Sequence, residues 1–207
     1  MLLIDPTLEP EAAVAEVTRL ATEFGYIGVR MNAGLWAKKG TPMDDPTGQA
    51  VMECCGELGL SAGFLCGDFE ENALAIEALA TAHSDTKIVI DHFAGLEGPS
   101  AGAPWLALLR LAECKNVTVK VSGWFRHGAE SCGAATLSLL EAYGASRLMF
   151  GTDFPWVMGE GEKGYAHQWN VFDEWAASNL TDEQTAAIAG GTAATFFGFG
   201  GGAKAKI

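Results

Sequence analysis

The stretch Thr86-Lys87-Ile88-Val89-Ile90-Asp91-His92 (86–92) sets branched apolar residues directly against a polar end. A strongly apolar run of this kind, closed by polar residues, reads as a β-strand. Working outward, five more runs share the form: MLLID (1–5), YIGVRMN (26–32), LSAGFLC (60–66), NVTVKVSG (116–123) and RLMFGTD (147–153). Each is rich in large or branched apolar residues and ends on a polar or small one.

Segments of helical period separate these runs. After Thr7, Pro10 falls in a first turn, Val14, Val17, Leu20 and Phe24 follow at three- or four-residue spacing, and Gly25 supplies the stop. From Asp45 to Gly59, Val51, Cys54, Cys55 and Leu58 share one face, which makes the paired cysteines core residues. Asp68 and Glu71 have capping-box spacing ahead of a stripe of Leu74, Ala78, Leu79 and Ala82. Further stripes run through Trp105, Leu108, Leu109 and Ala112, through Leu137, Leu140 and Tyr143, and through Trp169, Phe172, Trp175 and Ala176. Unbroken alternation of strand and helix predicts an α/β fold with parallel strands and crossover helices, either an open doubly wound sheet or a (β/α) barrel. In both, function sits at the carboxyl ends of the strands.

Composition narrows the partners. The 26 acidic residues against 13 basic ones give a formal charge of -13, which argues against nucleic acid and anionic membranes as partners. Every apolar run is too short and too interrupted to span a bilayer, and Asp5 and Glu9 stand where a secretory signal would be apolar. Five cysteines without a CxxC pair fit neither a disulfide scaffold nor a zinc ribbon, so a reducing cytoplasm is the expected compartment. No phosphate-loop or nucleophile-elbow motif occurs, and the glycines of FGFGGG (198–202) lack the strand and helix that a dinucleotide loop needs.

The strand ends carry the chemistry-bearing residues: Arg30 and Asn32, Cys66 and Asp68, Asp91 and His92, Lys120 and Ser122, Asp153. A carboxylate and an imidazole at one end of a parallel sheet, here Asp153 and His92, can share a metal or act as base and electrophile on one substrate. Arg30 and Arg126 offer planar forks suited to a substrate carboxylate. Lys120 and Ser122 alternate onto one face of their strand, and a buried Lys120 would need an anionic partner. His83, His127 and His167 read as surface residues.

The series GVRMN, IVIDHFAG, NVTVKVSGWFR, RLMFGTDFPWV and GGTAATFFGF resembles, in order and spacing, the amidohydrolase-related family of TIM-barrel hydrolases, in its lactonase-like branch with the pyrone dicarboxylate lactonases. The resemblance runs from about residue 1 to residue 199. It implies a (β/α)8 barrel, a partial one with about six βα units and the first two strands missing, followed by a flexible tail over 200–207. It implies Asp153 as general base or metal ligand, His92 as metal ligand or carbonyl polariser, and Arg30, Arg126 and Lys120 as substrate-binding residues. The activity implied is water attack on a carbonyl of a small carboxylated lactone, ester or amide. A decarboxylase on the same barrel and a barrel fragment without catalysis are the alternatives. The family's first-strand His-x-His is absent from this sequence, so His92 and Asp153 are the two candidate metal ligands. A divalent metal such as zinc and metal-free catalysis both stay open, as does a homo-oligomer.

Overall fold

The computed structural model describes residues 1–199, the side chains of 160–163 excepted. The segment 200–207, read from sequence as a tail, lies outside the described residues. Six strands form one parallel sheet in sequential order: β1 (Leu2–Leu3), β2 (Gly28–Asn32), β3 (Ser61–Leu65), β4 (Lys87–Ile90), β5 (Val117–Ser122) and β6 (Leu148–Gly151). A doubly wound sheet reverses its strand order at a switch point. This order never reverses, which leaves the barrel-type winding of the two closures.

The crossovers carry α1 (Pro10–Phe24), α2 (Ala33–Lys39), α3 (Pro46–Leu58), α4 (Phe69–Ala82), α5 (Ala103–Arg110), α6 (Trp124–Tyr143), α7 (Tyr165–Asn179), α8 (Asp182–Ala186) and α9 (Thr192–Phe197). The stop at Gly25 is real: its φ of 67° is left-handed, and its N–H closes on the carbonyls of Ala21 and Leu20. Cys54 and Cys55 are buried in the core, as their helical face requires.

Three local expectations are corrected. Asp68 is the N-cap of α4 but makes no side-chain cap bond, because its ψ of 82° departs from the extended geometry of a capping residue. A capping box forms instead between Thr181 and Gln184, at the start of α8. Leu74 is 73% exposed, since α4 turns Phe69, Ala73, Ile76, Leu79 and Ala80 inward instead. Leu137 is likewise exposed, and Leu139 takes the buried place in α6.

Alternation divides each strand. Val29 and Met31 of β2, Ala62 and Phe64 of β3, and Val117, Val119 and Val121 of β5 belong to the fully buried core between sheet and helices. With Trp36, Phe69, Ile76, Leu108, Leu139 and Phe172 they form one contiguous cluster. Full burial of a large apolar side chain contributes about 1.5–3 kcal/mol. The opposite faces of the same strands carry Arg30, Gly63, Lys120 and Ser122, and these polar and small residues define the inner side of the winding.

Candidate active site

Register explains which inner-face residues meet. Arg30 pairs with Gly63, Gly63 with Val89 and Val89 with Thr118, so Asp91 and Lys120, each two residues further along, stand level with each other. One row higher, Ser122 lies opposite Gly151, and Asp153 follows two residues later. Asp91 is buried. One of its oxygens lies 2.6 Å from Lys120 Nζ, and the other accepts a hydrogen bond from Arg30 Nη2 at 2.7 Å. The half-buried Lys120 thus has the anionic partner that its strand position demands.

His92 reaches the same side by a break in the strand. In an extended chain the residue after inward-facing Asp91 would point outward. Instead His92, Phe93 and Ala94 have φ of 51°, 53° and 60°, a left-handed run that is costly without glycine. The turn swings His92 inward, where its Nδ1 is 2.7 Å from Ser122 Oγ and its Nε2 is 3.4 Å from Asp153 Oδ1. Phe93 and Ala94 are buried, so packing fixes the turn.

Asp153 also has positive φ, 60°, and its other oxygen accepts a hydrogen bond from Arg126 Nη2 at 2.9 Å. Arg126 sits in the first turn of α6, just past Gly123, whose φ of 86° makes the sharp exit from β5. Burial lowers the His92 pKa from its ordinary value, against the upward pull of Asp153 and Asp91. Lys120 and Arg126 push it further down. A carboxylate only accepts hydrogen bonds, so the neutral ring that suits both neighbours carries its proton on Nε2 and accepts the Ser122 hydroxyl at Nδ1.

A cavity of about 550 Å³ opens over these groups, lined by Arg30, Cys66, His92, Ser122, Arg126, His127, Asp153 and Trp156 among others. It belongs to the size class of small-molecule sites. Arg30, Lys120 and Arg126 against Asp91 and Asp153 leave a net positive charge at this rim in a chain of net charge -13. Cys66 is inert here: burial, with the nearby Asp91 charge, pushes its thiol up to about 12.

The sequence profile of the family described as Amidohydrolase matches residues 3–199. The chain belongs to the amidohydrolase family. It is 30% identical over 161 residues to an L-fucono-1,5-lactonase of Burkholderia multivorans, a match covering 67% of this chain and 52% of the relative. This amidohydrolase chain therefore spans about half the length of that curated relative. Among solved structures, a protein described as a 2-pyrone-4,6-dicarboxylic acid hydrolase from Pseudomonas putida superposes with a TM-score of 0.70 at 27% identity, over 93% of this chain and 70% of that one. A Burkholderia multivorans amidohydrolase crystallised with zinc gives 0.69 at 23% identity, over 87% and 69%.

Of the five residues singled out from sequence, Arg30, His92, Arg126 and Asp153 line the cavity, and Lys120 joins them through its contact with Asp91. Sequence reasoning missed two others. Asp91 stands among the polar strand ends in the sequence, but nothing there assigns it a partner or a role. His127, read as a surface residue, lines the cavity, because α6 breaks at Gly128 and its first turn folds over the site. For a metal, His92 Nε2 and Asp153 Oδ1 are two donors, and no group of three His, Cys, Asp or Glu that could hold an ion occurs among the described residues. Zinc sites need three or four protein ligands, and Arg126 already occupies the second Asp153 oxygen. By themselves these residues do not fit a divalent ion; the chemistry they support is proton transfer and hydrogen bonding.

Proposed function

We propose that the rim site catalyses water attack on the carbonyl of a small carboxylated lactone or related ester, opening it to a hydroxy acid. The observation that carries this reading is Asp153 standing between His92 and Arg126 at the mouth of the cavity. Asp153, as carboxylate, takes a proton from a water held against it. That water forms the new C–O bond while the acyl C–O bond breaks, and the proton passes from Asp153 to the leaving alkoxide. Neutral His92 donates its Nε2 hydrogen to the carbonyl oxygen as negative charge develops there. Its Ser122 contact holds the ring in the tautomer that can donate.

Arg126 and Arg30 serve the substrate carboxylate, with Lys120 adding positive charge behind them. A carboxylate that engages Arg126 draws it from Asp153 and frees the base, so binding and activation are linked. Were a divalent metal held at this rim, His92 Nε2 and Asp153 Oδ1 would be two of its ligands.

The test is a two-substrate assay on the purified protein, using 2-pyrone-4,6-dicarboxylate as the anionic lactone and L-fucono-1,5-lactone as the neutral one. The expected result is ring opening with a preference of tenfold or more in kcat/KM for the anionic substrate. Turnover of neither, or release of carbon dioxide in place of ring opening, refutes the reading.

A further inference from the structure

The Arg30, Asp91 and Lys120 array is more than a structural ion pair. Resting on the proposed anion-binding site, we infer that Asp91 is a positioning residue that fixes the orientation of Arg30 and thereby sets the preference of the site for carboxylated over neutral substrates. Asp91 lies under the cavity floor, and its side chain is inaccessible to solvent. It does not line the cavity, whereas Arg30 does. Its contacts with the site run through Arg30 and Lys120, and its charge also acts on His92.

Three features argue for orientation. First, the hydrogen bond from Arg30 Nη2 to Asp91, at 2.7 Å, commits one end of the guanidinium fork. A planar fork held at one end keeps its remaining N–H vectors in a fixed plane, and bidentate recognition of a carboxylate depends on that plane. Second, Arg30 is on β2 and Asp91 follows β4, so the pair bridges the intervening strand β3. At the level of Arg30, β3 carries Gly63, so that strand puts no side chain in the row. Third, the left-handed turn that begins at His92 lets two consecutive residues serve one side of the sheet. Asp91 meets Lys120 while His92 meets Ser122, and Lys120 and Ser122 share a face of β5. The backbone strain at 92–94 thus aligns the anion-holding pair with the carbonyl-facing imidazole.

The alternative is that Asp91 merely neutralises two half-buried cations, and the two roles predict opposite signs. Asp91→Asn adds one net positive charge to the site. If neutralisation were the whole role, an anionic ligand would bind more tightly to this variant. If Asp91 orients Arg30, the anionic ligand binds more weakly despite the added charge.

The experiment measures binding of 2-pyrone-4,6-dicarboxylate by calorimetry, and turnover of that compound and of L-fucono-1,5-lactone, for the parent protein, Asp91→Asn, Asp91→Glu and the charge-balanced Asp91→Asn/Lys120→Met. Circular dichroism confirms that each variant is folded, and the double variant provides a folded form if the single one fails. The expected result is a tenfold or greater loss of dicarboxylate affinity in Asp91→Asn and in the double variant. Asp91→Glu should stay within a few-fold of the parent, and the loss on the neutral lactone should be at least tenfold smaller than the loss on the dicarboxylate. Equal or tighter dicarboxylate binding by the folded variants overturns the inference, as does absence of binding by the parent. Binding that follows this pattern without ring opening would refute the hydrolytic reading and leave the role of Asp91 standing.

Discussion

Replacing Asp153 by Asn separates catalysis from folding at this site. The side chain is 9% exposed and makes two polar contacts, with Arg126 at 2.9 Å and His92 at 3.4 Å. Asn keeps the shape and can still accept from Arg126, so what is lost is charge and basicity. The Arg126 side chain is 49% exposed, and ion pairs at such exposure contribute about 0–1 kcal/mol. For a chain of this length a loss of that size lowers Tm by about 2–4 °C at most. A positioned general base contributes about 10²–10⁴ in rate, equivalent to about 3–5 kcal/mol of barrier at ~1.36 kcal/mol per decade. The expected outcome is a hundredfold or greater fall in kcat for opening of 2-pyrone-4,6-dicarboxylate, followed by ultraviolet absorbance, with a Tm near that of the parent by calorimetry. Activity within threefold of the parent would refute Asp153 as base. Lost activity accompanied by a Tm drop of more than 10 °C would mean that the residue is structural.

Further outcomes follow from the same contacts. Arg126→Met removes a charge-assisted hydrogen bond of about 1.5–3 kcal/mol, so KM for the dicarboxylate should rise about 10- to 100-fold, with a smaller change in kcat seen in steady-state assays. Because His92 acts neutral and burial lowers its pKa, kcat/KM should hold level near neutrality and fall as acid protonates the ring, with the inflection of the pH–rate profile below the ordinary value of 6.5. Stability has the same sign: with the folded pKa lowered, the unfolded chain binds more protons, so the His92 contribution is full above about 6.5 and is lost as pH falls through the folded value. Thermal melts across that range should show Tm falling with acid. Far from the site, Asp45→Ala removes the N-cap of α3 together with the partner of Lys39, Thr41 and Trp36. It should cost about 3 kcal/mol in urea unfolding.

The strands were legible because their apolar runs are continuous and each ends on a polar residue, as in KIVIDH and NVTVKVS. Sequential sheet order was less so: alternation of strand and helix is common to open sheets and barrels, and the order is decided by how each crossover packs on the last. Asp153 and His92 stood out as polar residues after apolar runs. Asp91 was visible as a polar strand end but its role was not, since period two places only one of Asp91 and His92 inward while the backbone stays extended, and the left-handed run at 92–94 has no glycine until Gly95 to announce it. His127 was hidden by the break at Gly128, since a continuous α6 periodicity says nothing of a first turn set apart. Leu74 shows the converse error: hydrophobicity alone placed it inward, although the helix face is fixed by Phe69, Ile76 and Leu79 together.

The central claim is that water adds to a carbonyl at the Asp153 rim. Ring opening of 2-pyrone-4,6-dicarboxylate in ¹⁸O-labelled water, with the product read by mass spectrometry, tests it most directly. One label in the newly formed carboxyl group, no release of carbon dioxide and loss of the reaction in Asp153→Asn are the predicted results. An unlabelled product, or carbon dioxide formed in step with substrate loss, would contradict the account.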